Sequence, residues 1–137
     1  MIPAYNEVGV MEAVLRDVRV HCSNVVVVDD ASTDGTPEVV RRSDVVLLSH
    51  LINRGQGAAL QTGIVYALKQ GADVIVTFDA DGQHRASDIP SLTAPILAGT
   101  HDVVLGSRFL TNPSLIPPVR RTVLRAAVVF TRFFSHI

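Results

Sequence analysis

The sequence predicts an α/β fold with a mostly parallel, Rossmann-like sheet and helices on both of its faces. Short runs of β-branched residues alternate along the chain with segments of helical periodicity. The strand runs are almost wholly apolar, which is typical of parallel strands covered on both sides. Acidic or glycine-containing motifs follow several of these runs, at the sheet edge where open α/β sheets bind their ligands.

Residues 2–3 are expected to be the end of a first strand whose beginning is absent. Further strands are predicted at 25–29, 45–49, 74–78 and 103–106, and helices at 7–20, 37–42, 57–69 and 87–97. Thr36 and Ser87 are predicted to cap the helices that follow them. Gly71 and Gly99 are predicted to end the helices that precede them.

The C-terminal part of the chain has a different character. Residues 112–118 contain three prolines and are predicted to form a loop. Residues 119–137 then have the pattern of an amphipathic helix, with an apolar arc opposite Arg121, Arg125 and Arg132. This helix is expected either to pack on protein or to rest on a membrane surface.

Composition excludes several classes of protein. A hydrophobic content of 47% indicates a globular core and argues against disorder. Cys22 is the single cysteine, so no intramolecular disulfide forms, which fits a reducing, cytoplasmic compartment. The chain shows no signal peptide and no apolar run of membrane-spanning length. Nucleic acid is not an expected partner, because the basic residues are not interleaved with stacking aromatic residues.

Two carboxylates, Asp79 and Asp81, come directly after the predicted strand at 74–78. Residues two apart in an extended chain point the same way, so both side chains can reach one point beyond the strand. Carboxylates held that close repel unless a cation or a proton lies between them. Their hard oxygen atoms suit Mg²⁺ or Mn²⁺. A polar turn that closes the strand is the alternative.

Three further motifs lie at strand ends or helix starts. Asp30 follows a strand and either accepts hydrogen bonds from a ribose or a base, or stabilises a turn, as we expect Asp34 to do. Gly55 and Gly57 precede a helix, where backbone N–H groups can approach an anion. Arg108 follows the last predicted strand and either neutralises a phosphate or is a solvated edge residue.

In this order, the motifs resemble those of the family 2 glycosyltransferases, which have a GT-A fold. The matching segments are 3–7, 28–36, 53–59, 79–84 and 106–109. Within the family, they look most like the dolichyl-phosphate mannose synthases and the bacterial polyprenyl-phosphate sugar transferases. The resemblance implies that residues 1–118 are the nucleotide-sugar-binding catalytic domain, truncated at both ends. The amphipathic helix at 119–137 is then a second unit, for which both a membrane surface and a protein surface stay open.

The resemblance also implies roles for individual residues. The nucleotide-sugar pocket would contain Pro3, Ala4, Tyr5, Glu7, Val28, Asp30, Asp79 and Ala80. The metal ligands would be Asp79, Asp81 and Gln83. Asp81 and Arg108 would be the catalytic residues, with Arg108 near the donor diphosphate or the acceptor phosphate. Gln56 departs from the family pattern, because many relatives have lysine there.

The implied activity is that of a metal-dependent inverting glycosyltransferase. It would move a sugar from a UDP- or GDP-sugar to an acceptor, preferably a polyprenyl phosphate and otherwise a glycan, at the cytoplasmic face of a membrane. A lipid phosphate is already anionic and needs no strong general base, and no carboxylate follows Asp102 to act as one.

Two alternatives stay open. A sugar-phosphate nucleotidyltransferase would carry a glycine-rich loop with arginine and lysine after its first strand, whereas this chain has Ala-Tyr-Asn-Glu at 4–7. The other alternative is a non-catalytic, truncated nucleotide-binding fragment.

Overall fold

The computed structural model describes residues 1–106, of which Met1–Val104 form one compact unit. Three strands, β1 (Ile2–Ala4), β2 (Val26–Asp29) and β3 (Val46–Ser49), form a parallel sheet in the order β1-β2-β3. Ala4 pairs with Asp29, and Asp29 pairs with Ser49, so the carboxyl ends of the strands are in register. The segments that follow these strands therefore meet at one edge of the sheet.

Helices alternate with the strands as the sequence predicts. They are α1 (Val8–Arg19), α2 (Thr36–Arg41), α3 (Gln56–Lys69) and α4 (Ile89–Leu97), and a 3₁₀ turn at Ala86–Asp88 precedes α4. The predicted bounds of α1, α2 and α3 agree with the structure to within one residue at each end. The start of α4 differs, because the predicted first turn is the 3₁₀ turn.

Both faces of the sheet are covered, as neighbouring residues of β2 show. Val27 is fully buried in the main apolar cluster with Met11 and Leu15 of α1. Val28 points the other way, toward α3. A Cβ atom placed on Gly63 of α3 would lie 3.1 Å from Val28 Cγ2, so the helix backbone approaches the strand closely at this glycine.

Two predicted strands are wrong. Residues 74–78 run beside β1, where the Phe78 N–H donates to the Met1 carbonyl (3.0 Å) and the Met1 amino group donates to the Val76 carbonyl (2.8 Å). Since both bonds go to a single residue, they do not extend into a ladder. Val103 and Leu105 are 72% and 84% exposed, and residues 103–106 pair with no described strand. β-branched composition produces a strand only where a partner strand and burial are also available.

The predictions for the C-terminal ends of the helices are confirmed, whereas those for the N-terminal caps are not. Gly71 (φ +79°) and Gly99 (φ +67°) end α3 and α4 in the left-handed conformation, as predicted. The predicted N-terminal caps are wrong. Thr36 lies inside the first turn of α2 and its hydroxyl donates to Asp34 instead, while Ser87 lies within the 3₁₀ turn.

Several predictions lie outside the described residues. These are Arg108, the loop at 112–118 and the amphipathic helix at 119–137. The proposed domain boundary between 118 and 119 therefore stays a prediction. Within residues 1–106, no helix combines the length and the apolar character needed to cross a membrane.

Candidate functional site

An open cleft of about 450 Å³ lies at the carboxyl edge of the sheet, which is the expected place for a ligand in this class of fold. Its volume is in the range of small-molecule sites, about 300–1,000 Å³. The lining residues come from β1 and the loop after it, the end of β2, the start of α3 and the segment after residue 78. They are Pro3, Ala4, Tyr5, Glu7, Asp30, Asn53, Gly55, Gln56, Ala59, Asp79, Ala80 and Asp81.

The cleft brings together most of the predicted site residues, namely Pro3, Ala4, Tyr5, Glu7, Asp30, Asp79, Ala80 and Asp81. Val28 does not line it, because this side chain is fully buried beneath α3. Gln83 is not among the lining residues either, although its backbone N–H donates to Asp81 Oδ1 (2.9 Å). Arg108 lies outside the described residues.

The loop before α3 and the first turn of α3 contribute further lining residues from the predicted motif at 53–59, namely Asn53, Gln56 and Ala59. The sequence predicts no individual role for Asn53 or Ala59, and it places Gln56 near the donor only through the absence of a lysine. Gly55 was noted for its possible approach to an anion, and it does line the cleft, with φ +87°. Gln56 reaches across the cleft, where its Nε2 donates to Asp79 Oδ1 (3.0 Å). The signal that could have found Gln56 is its place directly after that glycine, at the first residue of a helix.

Asp30, at the tip of β2, is only 2% exposed and is held by the protein itself. Its Oδ1 accepts from the Arg54 N–H (2.9 Å) and lies 2.6 Å from His50 Nδ1. Its Oδ2 accepts from the Gly55 N–H (2.6 Å). Of the two roles that the sequence left open for Asp30, these contacts favour the stabilisation of a turn.

The charge state of Asp30 follows from the same contacts. Burial acts to raise its pKa, but hydrogen bonds from the Arg54 backbone, the His50 ring and the Gly55 backbone together outweigh burial. The net pKa is below the usual value. An ionised carboxylate only accepts hydrogen bonds, so His50 Nδ1 must carry the hydrogen between the two side chains.

A second set of hydrogen bonds joins the loop after β1 to the loop after β2. Asp34 Oδ2 accepts from the Val8 N–H (3.1 Å) at the first turn of α1, so Asp34 caps a helix that lies earlier in the chain. Asp34 Oδ1 accepts from the Thr36 N–H (2.9 Å) and from the Thr36 hydroxyl, which in turn accepts from the Glu7 N–H (2.8 Å). The Thr36 hydroxyl is the main cause of a lowered pKa at Asp34. Asp34 thus serves a turn, as the sequence predicts.

Two residues in these loops have left-handed backbones. Asn6 (φ +57°) donates its N–H to Ser32 Oγ (2.9 Å), and its side-chain oxygen accepts from the Thr33 N–H (2.8 Å). Ala31 (φ +62°) has no such side-chain compensation, and alanine rarely adopts this conformation. The loops after β1 and β2, which supply Tyr5, Glu7 and Asp30 to the cleft, thus share hydrogen bonds and contain one strained residue, Ala31.

The acidic pair after residue 78 has different partners. Asp79 Oδ1 accepts from Gln56, and Asp79 Oδ2 lies 3.3 Å from His84 Nε2, while Asp81 Oδ1 accepts from the Gln83 N–H. Carboxylate oxygens are the ligands that Mg²⁺ and Mn²⁺ prefer, so this donor set fits a divalent cation. Within residues 1–106, no group of three or more His, Cys, Asp or Glu side chains forms a metal site. Two carboxylates would leave coordination positions for phosphate oxygens and water, which is common for Mg²⁺.

Among the described residues, the charged side chains that line the cleft are all acidic. Four of its lining residues are acidic, Glu7, Asp30, Asp79 and Asp81, and none of the lining residues within 1–106 is lysine or arginine. Such a surface repels an anion unless a cation accompanies it.

Comparison with known proteins is consistent across sequence and structure. A family model described as Glycosyl transferase family 2 matches residues 1–133. The chain is 35% identical over 131 residues to a UDP-N-acetylglucosamine–dolichyl-phosphate N-acetylglucosaminyltransferase of Methanococcus voltae, a match that covers 82% of this chain and 52% of the relative. It is 33% identical over 141 residues to an undecaprenyl-phosphate mannosyltransferase of Micrococcus luteus, with 96% and 57% covered.

Among solved structures, the chain is similar to glucosyl-3-phosphoglycerate synthase from Mycobacterium tuberculosis in complex with Mn²⁺, UDP and glucosyl-3-phosphoglycerate. The TM-score is 0.60 at 24% identity, over 70% of this chain and 38% of that chain. This similarity confirms the predicted GT-A fold. The chain spans about half the length of the curated relatives it matches.

Proposed function

The chain belongs to glycosyltransferase family 2, and we propose that its cleft binds the nucleotide part of a UDP- or GDP-sugar together with Mg²⁺ or Mn²⁺. The whole protein would transfer the sugar with inversion, preferably to a polyprenyl phosphate, at the cytoplasmic face of a membrane. The lipid-phosphate relatives support this acceptor, and the UDP complex of the structural neighbour makes UDP the first nucleotide to test.

The observation that carries the proposal is the charge of the cleft. A nucleoside diphosphate is strongly anionic, yet the described lining offers four carboxylates and no basic side chain. Asp79 and Asp81 would hold the divalent cation, with Gln83 as a further ligand, as the family resemblance implies. When bound, the cation supplies Lewis-acid stabilisation of the charge that develops on the leaving diphosphate.

The remaining residues bind and orient the ligand. Tyr5, which is 47% exposed at the cleft, offers an aromatic face to the nucleotide. Gln56 and His84 contact the two oxygens of Asp79 and so orient its carboxylate. Arg108 would approach the donor diphosphate or the acceptor phosphate, as the resemblance implies.

The donor site is tested by calorimetric titration of UDP, GDP and their sugars, with and without Mn²⁺. We expect nucleotide binding that depends on Mn²⁺ and that is lost in Asp81→Asn. Asp17→Asn is the matched control, because it removes the same charge from an exposed position on α1, away from the cleft. If no nucleotide binds at any Mn²⁺ concentration, the chain has no working donor site.

The reaction is tested by identifying its product. Transfer of labelled sugar to a polyprenyl phosphate would support that acceptor, whereas transfer only to a glycan would show that the acceptor is a glycan. Release of pyrophosphate from a nucleoside triphosphate would identify the nucleotidyltransferase instead.

A further inference from the structure

His50 bridges three elements of the fold at the edge of the cleft. It directly follows β3, and its side chain is only 9% exposed. Its Nδ1 lies 2.6 Å from Asp30 Oδ1 at the tip of β2, and its Nε2 lies 2.9 Å from Thr62 Oγ1 on α3. Its backbone N–H donates to the Asp29 carbonyl (2.9 Å), which fixes the residue to the sheet. Both ring nitrogens are therefore used.

Asp30, which His50 contacts, also binds the loop before α3. It accepts from the N–H groups of Arg54 (2.9 Å) and Gly55 (2.6 Å). Gly55 has φ +87° and precedes Gln56, the first residue of α3. Gly55 and Gln56 both line the cleft, and Gln56 contacts Asp79 on the opposite side. His50 is thus connected to Asp79 through its bond to Asp30, the bond of Asp30 to Gly55, and the neighbouring residue Gln56.

We infer that His50 is a positioning residue, which sets the wall of the cleft formed by Gly55 and Gln56 through its bond to Asp30. His50 itself does not line the cleft. By donating to Asp30 it fixes the carboxylate in the orientation that receives the two backbone N–H groups. The bond from Nε2 to the Thr62 hydroxyl satisfies the second ring nitrogen and is not needed for this role. The identity of the ligand rests on the function proposed above, but the geometry of the loop does not.

The test uses variants of His50 and Thr62 that remove the Nδ1 and Nε2 hydrogen bonds separately. Asparagine places an amide donor where His50 Nδ1 lies, so His50→Asn can keep the bond to Asp30. Glutamine reaches instead toward the position of Nε2, so His50→Gln can keep only the bond to Thr62. His50→Ala removes both bonds, and Thr62→Val removes the second bond with little change of volume.

The first measurement is amide hydrogen exchange of the 137-residue chain by NMR, without ligand. We expect protection at Arg54 and Gly55 to fall about tenfold or more in His50→Ala and His50→Gln. His50→Asn and Thr62→Val should stay within about threefold of the parent chain. The amide of Leu15 in the core of α1 is the internal control, because global unfolding would expose it as well.

Two exchange results would overturn the inference. Unchanged protection at Arg54 and Gly55 in the alanine and glutamine variants would show that the loop does not depend on His50. An equal loss in His50→Asn would show that the ring acts only by its packing, not by its bond to Asp30.

The second measurement is the dissociation constant of UDP with Mn²⁺. We expect it to rise in the alanine and glutamine variants in step with the loss of protection, and to be restored in His50→Asn. If UDP affinity stays unchanged while protection falls, His50 positions a loop that the nucleotide does not use, and the inference fails. If the parent chain binds no nucleotide at all, the proposed function fails, while the exchange comparison still decides whether His50 positions the loop.

Discussion

Replacing Gln56 by lysine tests the charge balance of the cleft directly. Gln56 is the first residue of α3, and its Nε2 lies 3.0 Å from Asp79 Oδ1. Lysine is slightly longer and can place an ammonium group near that position. We expect Gln56→Lys to strengthen the binding of UDP in the absence of a divalent cation, because the described lining then gains a positive charge among its four carboxylates.

The size of the effect follows from Coulomb's law. Two unit charges 4 Å apart interact by about 1 kcal/mol in water and by about 4 kcal/mol at an effective dielectric constant of 20. The cleft is open and the Asp79 side chain is 43% exposed, so the lower end of this range applies. The ammonium group is also shared between Asp79 and the ligand. We therefore expect a gain of about 1–2 kcal/mol, which is a dissociation constant about 5–30-fold lower.

The assay is calorimetric titration of UDP in EDTA and, separately, at saturating Mn²⁺. The gain should be smaller with Mn²⁺, because lysine and the cation compete for Asp79. It should also shrink as salt is added, since exposed charges are screened. Gln61→Lys is the matched control, because Gln61 is an exposed residue of α3 that does not line the cleft.

Two results would refute this account of the cleft. One is an unchanged affinity of the Gln56→Lys variant for UDP in EDTA. The other is an equal gain in Gln61→Lys, which would show that net charge matters and the position in the cleft does not.

Three further predictions concern the frame of the site. Gly63→Ala should lower the free energy of unfolding by about 1–3 kcal/mol in urea titrations, because the added methyl group would overpack α3 against the side chains of Met1 and Val28. An unchanged urea midpoint would contradict this. Asp34→Ala should speed amide exchange at Val8 about tenfold, because the first turn of α1 loses its carboxylate acceptor, and unchanged exchange would count against the cap. Asp30 has a pKa below the ordinary 3.8, so its stabilisation is present above that value and is lost as pH falls through the lower, folded-state value. Urea midpoints measured from neutral pH to pH 2 should therefore fall more steeply in the parent chain than in Asp30→Asn, and parallel curves would refute the assignment.

The sequence predicted well those features that depend on local pattern. The periodicity of α1, α2 and α3 placed their ends within one residue, and the left-handed Gly71 and Gly99 end helices as expected. It failed where a feature depends on a partner far along the chain. Residues 74–78 have the composition of a strand, but within residues 1–106 their backbone bonds to a neighbouring strand segment involve Met1 alone. Thr36 is a residue type that often caps helices, but its hydroxyl forms hydrogen bonds with Asp34 and the Glu7 N–H instead.

The same distinction applies to the site. Asp30, Asp79 and Asp81 could be placed at one cleft from sequence, because each follows a run predicted as a parallel strand and such runs end at the same edge of the sheet. The run at 74–78 is not a strand, but it lies beside β1 and so brings Asp79 and Asp81 to that edge. Ala4 was implied only by the family resemblance. The position of Gln56 after Gly55 pointed to the cleft, but its bond to Asp79 could not be predicted, because it joins two distant segments of the chain. The contribution of His50 could not be predicted for the same reason.

The acidic residues after β2 and those after residue 78 have different hydrogen-bond partners, and this difference indicates different roles. After β2, Asp30 and Asp34 accept hydrogen bonds from backbone N–H groups that cannot turn away, so these carboxylates are committed to the loops. After residue 78, Asp79 is contacted by the side chains of Gln56 and His84, which can rotate to other partners. A divalent cation outcompetes a neutral amide for a carboxylate oxygen, whereas both oxygens of the 2% exposed Asp30 already accept from backbone N–H groups. An exchangeable cation is therefore expected at Asp79 and Asp81 and not at Asp30, whose carboxylate holds the loop before α3 that forms the wall of the cleft.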